Sequence, residues 1–288
     1  MGAHRREEYV DIRDHGFRGE EFTEDMYMFG ASKFADRPVL MPGGHGWEQY
    51  KPEPELQFRG RFDSKNCSNY GTHNALETLA AFHDFGDFPK NCSERYSGVG
   101  TGTTQDGNTP HKVIEIIRKD IGVIPEALLP FSDDIDSWEK YYSPNPMRRD
   151  LLDEGKGVLL RYEIGHDWVF KGGIVAENQE RLKEALSRGT VAVSVLAWKW
   201  HVFPDGETRY RKNPGEGDTH WVQLLDYIEG DYWLVYDHYD KVLKKLDWDY
   251  DFGFAKVYYL DRAVQAAVDS TSFLSSIIEW IKKWRARA

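Results

Sequence analysis

The chain reads as an α+β protein, with helical patterning concentrated in its first half and strand patterning in its second. Three observations predict this. Residues 66–84 carry Tyr70, Asn74-Ala75, Thr78-Leu79 and Phe82 at three- and four-residue steps, the period of one helical face. Residues 111–119 repeat the pattern with Val113, Ile114, Ile116 and Ile117. Beyond residue 190 the apolar runs shorten to strand length and are separated by turn residues, as in an antiparallel sheet.

In chain order, residues 1–58 are polar and dotted with Pro38, Pro42, Gly43, Gly44, Pro52 and Pro54, which break any long helix. They read as an extended arm or a pro-segment, tied down by the body of the protein or by neighbouring subunits. Residues 59–150 form a helical lobe. It holds the two helical patterns, joined by a glycine-rich loop over 96–110, and the second helix ends at Gly122 and Pro125. Residues 130–146 read as irregular connection. Residues 151–262 form a β-rich lobe. Its strand candidates are 158–162, 191–198, 220–227, 232–237 and 254–260, with a helix over 178–187. Residues 263–288 are a separate amphipathic helix, with Phe273, Ile277, Ile281 and Trp284 in one stripe and a cationic end. It is either docked on the body or an anchor to a partner or an anionic surface.

With 288 residues, ten Trp, sixteen Tyr and fifteen Phe, the chain can build a substantial core. A formal net charge of −11 opposes general nucleic-acid binding, which needs a concentrated basic face. Two cysteines, Cys67 and Cys92, do not make a disulfide framework and suit a reducing compartment. The first residues lack the apolar stretch of a secretory signal, and no apolar run reaches bilayer length. A cytoplasmic or virion-associated location is expected, without a transmembrane segment.

Metal and phosphate signatures are not met. The chain has neither paired CxxC nor HExxH, and its 247–253 segment places Gly253 and Tyr258 wrongly for a calcium loop. Asn108 stands where a phosphate-binding loop needs Lys. No cofactor and no metal site are expected.

The chemistry centres on Cys67, which stands in a polar turn running directly into the first helical pattern. Unpaired N–H groups and the partial positive charge of a helix N-terminus favour thiolate there. His220 heads one strand pattern and Asp237 ends the next. A thiol, an imidazole and a carboxylate are the parts of a cysteine nucleophile with its base and orienting group. The turn chemistry of Glu229-Gly230-Asp231 joins the two strands. A two-residue turn sets Val222 opposite Asp237, with His220 diagonal to it on the same face, about 7–8 Å away. A three-residue turn puts His220 and Asp237 on opposite faces. Cys92 shares the Asn-Cys-Ser tripeptide but precedes no helical pattern, so it reads as structural. His238 falls on the strand face opposite Asp237, and His73 turns away from Cys67.

These residues resemble the papain-like cysteine peptidases, in the divergent form encoded by phages and bacteria. Cys67-Ser68-Asn69-Tyr70-Gly71-Thr72 resembles the family's nucleophile stretch, residues 219–227 its histidine strand, and residues 232–239 its asparagine or aspartate strand. The likeness spans roughly residues 47–260. It implies a two-lobed fold, with Cys67 opening the central helix of a helical left lobe and an antiparallel, barrel-like right lobe. It also implies hydrolysis of a protein or peptide amide bond by Cys67, His220 and Asp237, with Tyr239 in the place of the Trp that shields the histidine. Gly107 and Asn108 fall on the substrate cleft. Arg61 occupies the position of the family's oxyanion Gln, so Arg61, Asn66 or the Cys67 backbone N–H are the candidate donors. The alternative is a papain-fold structural or adaptor protein that has lost turnover, with partner subunits engaged through the arm and the tail helix.

Overall fold

The computed structural model describes residues 8–10, 16–18, 29, 37–172, 174–213, 215–239 and 242–263. The tail helix expected over 263–288 lies outside them, as does most of residues 1–36. Two 3₁₀ turns, Pro42–Gly44 and Trp47–Tyr50, replace the extended arm expected before residue 58. Trp47 is fully buried, and its indole donates to the Leu186 carbonyl at 2.8 Å. This part of the arm is therefore built into the core.

The strands are β1 (Glu8–Val10), β2 (Phe58–Arg59), β3 (Phe62–Asp63), β4 (Tyr162–Lys171), β5 (Thr190–Val195), β6 (Lys199–Val202), β7 (Thr208–Tyr210), β8 (His220–Ile228), β9 (Tyr232–Tyr236), β10 (Leu243–Asp247) and β11 (Phe254–Arg262). The helices are α1 (Cys67–Phe82), α2 (Glu94–Gly100), α3 (Pro110–Ile116), α4 (Trp138–Tyr141), α5 (Arg149–Arg161) and α6 (Val175–Arg188). The architecture is α+β. Among the described residues, nine strands form one sheet in the order β1-β6-β7-β10-β9-β8-β5-β11-β4, and β2 and β3 form a separate hairpin. All pairs in the large sheet are antiparallel except β10–β7. The barrel-like right lobe is corrected here. Closure needs the outermost strands to pair with each other, whereas β1 and β4 stand at two separate edges. Among the described residues, no helix is long and apolar enough to cross a membrane.

α1 crosses the sheet at β8, β5 and β11, and residues 67–80 are buried around its whole circumference. A helix in that position cannot be amphipathic, so several of its polar side chains bond inward, while both His73 ring nitrogens and Asn74 Nδ2 are buried without a hydrogen-bond partner among the described residues. Thr72 and Thr78 return their hydroxyls to carbonyls one turn back, at 2.7 Å each. Thr190 on β5 donates to the Ala75 carbonyl at 3.0 Å. The approach to β8 is close because Gly71 has no side chain: a Cβ there would lie 2.6 Å from Trp221 Cδ1. One continuous apolar core runs through helices and sheet, and a smaller one gathers Phe62, Phe131, Ile135 and Tyr141.

The β8–β9 register departs from both simple alternatives. Ile228 pairs with Tyr232, so the turn is the three-residue Glu229-Gly230-Asp231. Taken alone, that would put His220 and Asp237 on opposite faces. The register then shifts between Leu224 and Asp226, where Leu225 is an extra residue, and Gln223 pairs with Tyr236. Continuing by one residue sets Val222 opposite Asp237, the register a two-residue turn would have given. The expected strand over 158–162 is also corrected. Residues 158–161 finish α5, whose apolar positions face the core at helical steps, and β4 begins at Tyr162.

Candidate active site

Asp237 and His220 meet directly. His220 Nε2 lies 2.6 Å from Asp237 Oδ1, and both residues are buried. Asp237 Oδ1 also accepts the His238 backbone N–H at 2.8 Å, while Oδ2 is paired with the Lys244 ammonium. Burial opposes an ionised carboxyl here, but Lys244 and His220 hold Asp237 well below the usual carboxylate range.

Cys67 is the first residue of α1 and is fully buried. Its thiol lies against the backbone N–H of Trp221, the residue after His220. The N-terminus of α1 is thereby seated at the head of β8. Burial pushes the Cys67 thiol up, the Trp221 amide pulls it down, and the nearby Asp63 carboxylate adds to the rise. The net direction favours the neutral thiol. Cys92 is also free and buried, with its backbone N–H given to Glu77 Oε1 at 2.5 Å.

Tyr239 stands edge-on to the His220 ring, with centroids 5.5 Å apart and planes at 84°. Trp198 stands edge-on to the same ring at 5.6 Å. His238 is corrected. It lies beyond the end of β9, where strand alternation no longer applies, and its ring sits 4.6 Å from His220 while stacking on Tyr70 at 4.9 Å. Burial, then the charge of His220, keeps His238 well below the ordinary imidazole range. His73 is sealed inside α1, 3.6 Å from Glu94.

Two oxyanion candidates are placed elsewhere. Asn66 is buried with its amide spent: Nδ2 donates to the Glu94 carbonyl at 2.7 Å and to Tyr141 Oη at 3.2 Å. Its Oδ1 accepts from Asn69 at 2.6 Å and Thr103 at 3.1 Å. Arg61 is exposed at the turn of the β2–β3 hairpin. The residue that sequence reasoning missed is Gln57. The Ser64 N–H and hydroxyl both bond the Gln57 carbonyl at 3.1 Å, so the hairpin 58–63 is looped out and Gln57 abuts the turn before Cys67. Its Nε2 donates to Tyr239 Oη at 3.0 Å and to Asp63 Oδ1 at 3.1 Å. Counting residues back from Cys67 fails because the hairpin is inserted between them. The signal available in sequence was the glycine turn Arg59-Gly60-Arg61 between two aromatics.

Gly107 and Asn108 line a seam that is already occupied. The Asn108 N–H donates to the Gly16 carbonyl at 3.1 Å, and the Arg18 N–H donates to the Asn108 carbonyl at 3.3 Å. Across the seam, the Phe17 N–H donates to the Thr219 carbonyl at 3.0 Å. Thr219 precedes His220, and the Asn108 carbonyl also accepts Ser68 Oγ at 2.9 Å, next to Cys67. Residues 16–18 thus bridge the two walls, between Asn108 on one side and Thr219 on the other. The Phe17 ring stacks on Trp221 at 5.8 Å and 5°, and tilts onto Phe254 at 5.7 Å. Gly107, at φ +79°, leaves room for this backbone: a Cβ would lie 1.6 Å from the Gly16 carbonyl oxygen.

Among the described residues, two side-chain groups are close enough to share a cation: His111, Glu115 and His166, and His220, Asp237 and His238. Each already holds a lysine ammonium. Lys256 Nζ lies 3.2 Å from His166 Nδ1 and 3.4 Å from His111 Nδ1, and Lys244 pairs with Asp237. A positive charge in each group opposes a second cation there.

No protein-family model and no curated protein sequence matches the chain. Solved structures do. Xylellain, a cysteine protease from Xylella fastidiosa, superposes with a TM-score of 0.54 at 15% identity, over 91% of this chain and 98% of that one. Digestive procathepsin L 3 of Tenebrio molitor larval midgut gives 0.53 at 14%, over 82% and 74%. The clostridial cysteine protease Cwp84 after propeptide cleavage gives 0.55 at 11%, over 75% and 57%. The chain has the papain-like cysteine protease fold.

Proposed function

We propose that the protein is a cysteine peptidase that is latent while residues 16–18 occupy its cleft. The observation that carries this reading is the seam itself. An extended piece of the chain's own backbone is bound through main-chain hydrogen bonds from both walls, beside Cys67 and the His220–Asp237 pair. A groove that holds extended peptide this way is suited to peptide substrate.

In the open form Cys67 attacks the substrate carbonyl carbon. His220 takes the thiol proton and returns it to the leaving amine, so charge and protons balance across acylation. Water then releases the acyl group with His220 as base. Asp237, bonded to Nε2, fixes the ring so that Nδ1 is the nitrogen serving the thiol. The Cys67 N–H at the start of α1 and the Gln57 amide are the oxyanion donors of this reading. Gln57 reaches that role by exchanging its bonds to Tyr239 and Asp63 for the substrate oxygen.

The test uses the full chain carrying Phe17→Ala, to weaken arm seating, with a peptidyl epoxide and a protein substrate. Adduct at Cys67 and not Cys92, with substrate cleavage abolished by Cys67→Ala, is expected. Labelling no faster than free cysteine, with no cleavage after the arm is released, refutes the peptidase and favours a scaffold that keeps the fold with a sealed thiol.

A further inference from the structure

The orienting group of this site is an ion pair, not a lone carboxylate. Lys244 comes from β10, opposite Val235 on β9, and is 4% exposed. Its ammonium pairs with Asp237 Oδ2, leaving Oδ1 to His220 Nε2 at 2.6 Å. The same ammonium lies 4.7 Å from the Trp198 ring centroid and 5.8 Å from that of Tyr210. Trp198 in turn stands edge-on to His220. One cation therefore touches the carboxylate and an aromatic wall of the imidazole.

A buried carboxylate bonded to imidazole, with no counter-charge, would hold the ring as imidazolium and resist returning its proton. A buried cation next to Asp237 halves that problem: the pair sums to zero charge while Oδ1 keeps its acceptor geometry. We propose that Lys244 is a positioning residue, which holds Asp237 ionised and oriented and makes the Asp237–Lys244 pair act on His220 as a neutral acceptor. This rests on the peptidase reading above. The titratable groups around Asp237 are His220 from β8, Lys244 from β10, Tyr210 from β7, and His238 and Tyr239 after β9.

The experiment compares Asp237→Asn, Lys244→Met, Lys244→Arg and the double variant Asp237→Asn/Lys244→Met, each in the full chain carrying Phe17→Ala. Cys67 alkylation by iodoacetate, an anion whose approach the imidazolium favours and which therefore slows when the ring loses its proton, is followed by mass spectrometry across pH, with thermal melting alongside. Asp237→Asn alone strands a buried ammonium beside His220 and is expected to slow labelling about 10-fold or more. Adding Lys244→Met restores a neutral acceptor and should bring the rate back to within about 3-fold of the parent. Lys244→Met alone should move the alkaline limit of labelling upward by about one pH unit, and Lys244→Arg should keep the parent profile. A double variant no faster than Asp237→Asn overturns the proposal. So does a Lys244→Met profile that superimposes on the parent while only the melting temperature falls, since that marks a purely structural pair. If Lys244→Met alone does not fold, the comparison of the double variant with Asp237→Asn decides. A parent that labels no faster than free cysteine removes the peptidase reading and this inference together. A fast parent with no rescue removes only the inference.

Discussion

Replacing Phe17 by Ala tests whether the arm gates the nucleophile. Phe17 is partly buried, so truncation forfeits about half of a full aromatic burial, roughly 1.5 kcal/mol. Its parallel stack on Trp221 adds about 0.5–1.5 kcal/mol. The sum, about 2–3 kcal/mol, raises the population with the arm lifted roughly 30- to 150-fold. The backbone bonds to Asn108 and Thr219 remain, at about 0.5–1.5 kcal/mol each, so the arm still closes and labelling still reports opening. The assay is the rate of iodoacetamide modification at Cys67, with Cys92 as internal reference. Cys92 is buried against Glu77 and Pro89, and its rate should stay unchanged. A Cys67 increase below about 3-fold, or an equal increase at both cysteines, would refute gating by the arm; the second outcome would mean general loosening.

Three further outcomes are expected. Burial pushes Glu77 up to about 8 and Glu126 up to about 7, so the stability that goes with their neutral forms is full below about pH 4.5, declines as pH rises from there, and is gone above 7–8. Burial holds His73 at about 3, which costs stability as pH falls below 6.5. From pH 4.5 to 6.5 the two falling carboxyl contributions outweigh the one rising histidine contribution, so the melting temperature should be highest near pH 4–5 and fall by several degrees toward pH 8, with Glu77→Gln making the fall shallower; a plateau from pH 5 to 8 contradicts this. Gly71→Ala drives a methyl into Trp221 and should cost about 1–3 kcal/mol in urea unfolding; an unchanged midpoint would mean that α1 and β8 can separate freely. Asn66→Ala strands the groups its amide satisfies at Glu94, Tyr141, Asn69 and Thr103 and should cost about 2–4 kcal/mol, and a loss below about 1 kcal/mol would show the network to be dispensable.

The elements legible in sequence were those whose burial left a period. α1 starts one residue after the expected helix and ends two before it, and β8, β9 and β11 each fall within two residues of their expected bounds. α2 reads as loop in the sequence because Gly98 and Gly100 erase its apolar period, although Ser93 caps it by accepting the Tyr96 N–H at 3.1 Å. β6, β7 and β10 are not legible because strands of three to five residues are too short to show a clear alternation. In the site, strand patterns put His220 and Asp237 on neighbouring strands but left open whether they share a face, which the bulge decides. Lys244 was not, since a lysine in a short strand reads as an exposed edge charge, and only the fold turns it inward onto Asp237.

The sequence left the turn length open and tied the His220–Asp237 pairing to the two-residue turn; the chain has the three-residue turn and keeps the pairing, and the reason lies in Leu225. A three-residue turn shifts every side chain of β9 by one place relative to β8, and a single bulged residue shifts them back. Neither change is visible alone in the alternation of β8, because Leu224 and Leu225 are both buried. What forces the bulge is the neighbouring residue. Asp226 turns outward, where its carboxylate meets His45 Nδ1 at 2.6 Å and the Gly46 N–H at 3.3 Å. Without the extra residue, either Asp226 would face the core or His220 would lose the face it shares with Asp237. A charged residue that must reach solvent and a histidine that must reach an acid, six positions apart on one strand, cannot both be met by strict alternation: even spacing puts them on one face. The bulge between them is the smallest change that separates the two faces, so the acceptor geometry at His220 is set as much by Asp226 and Leu225 as by the turn.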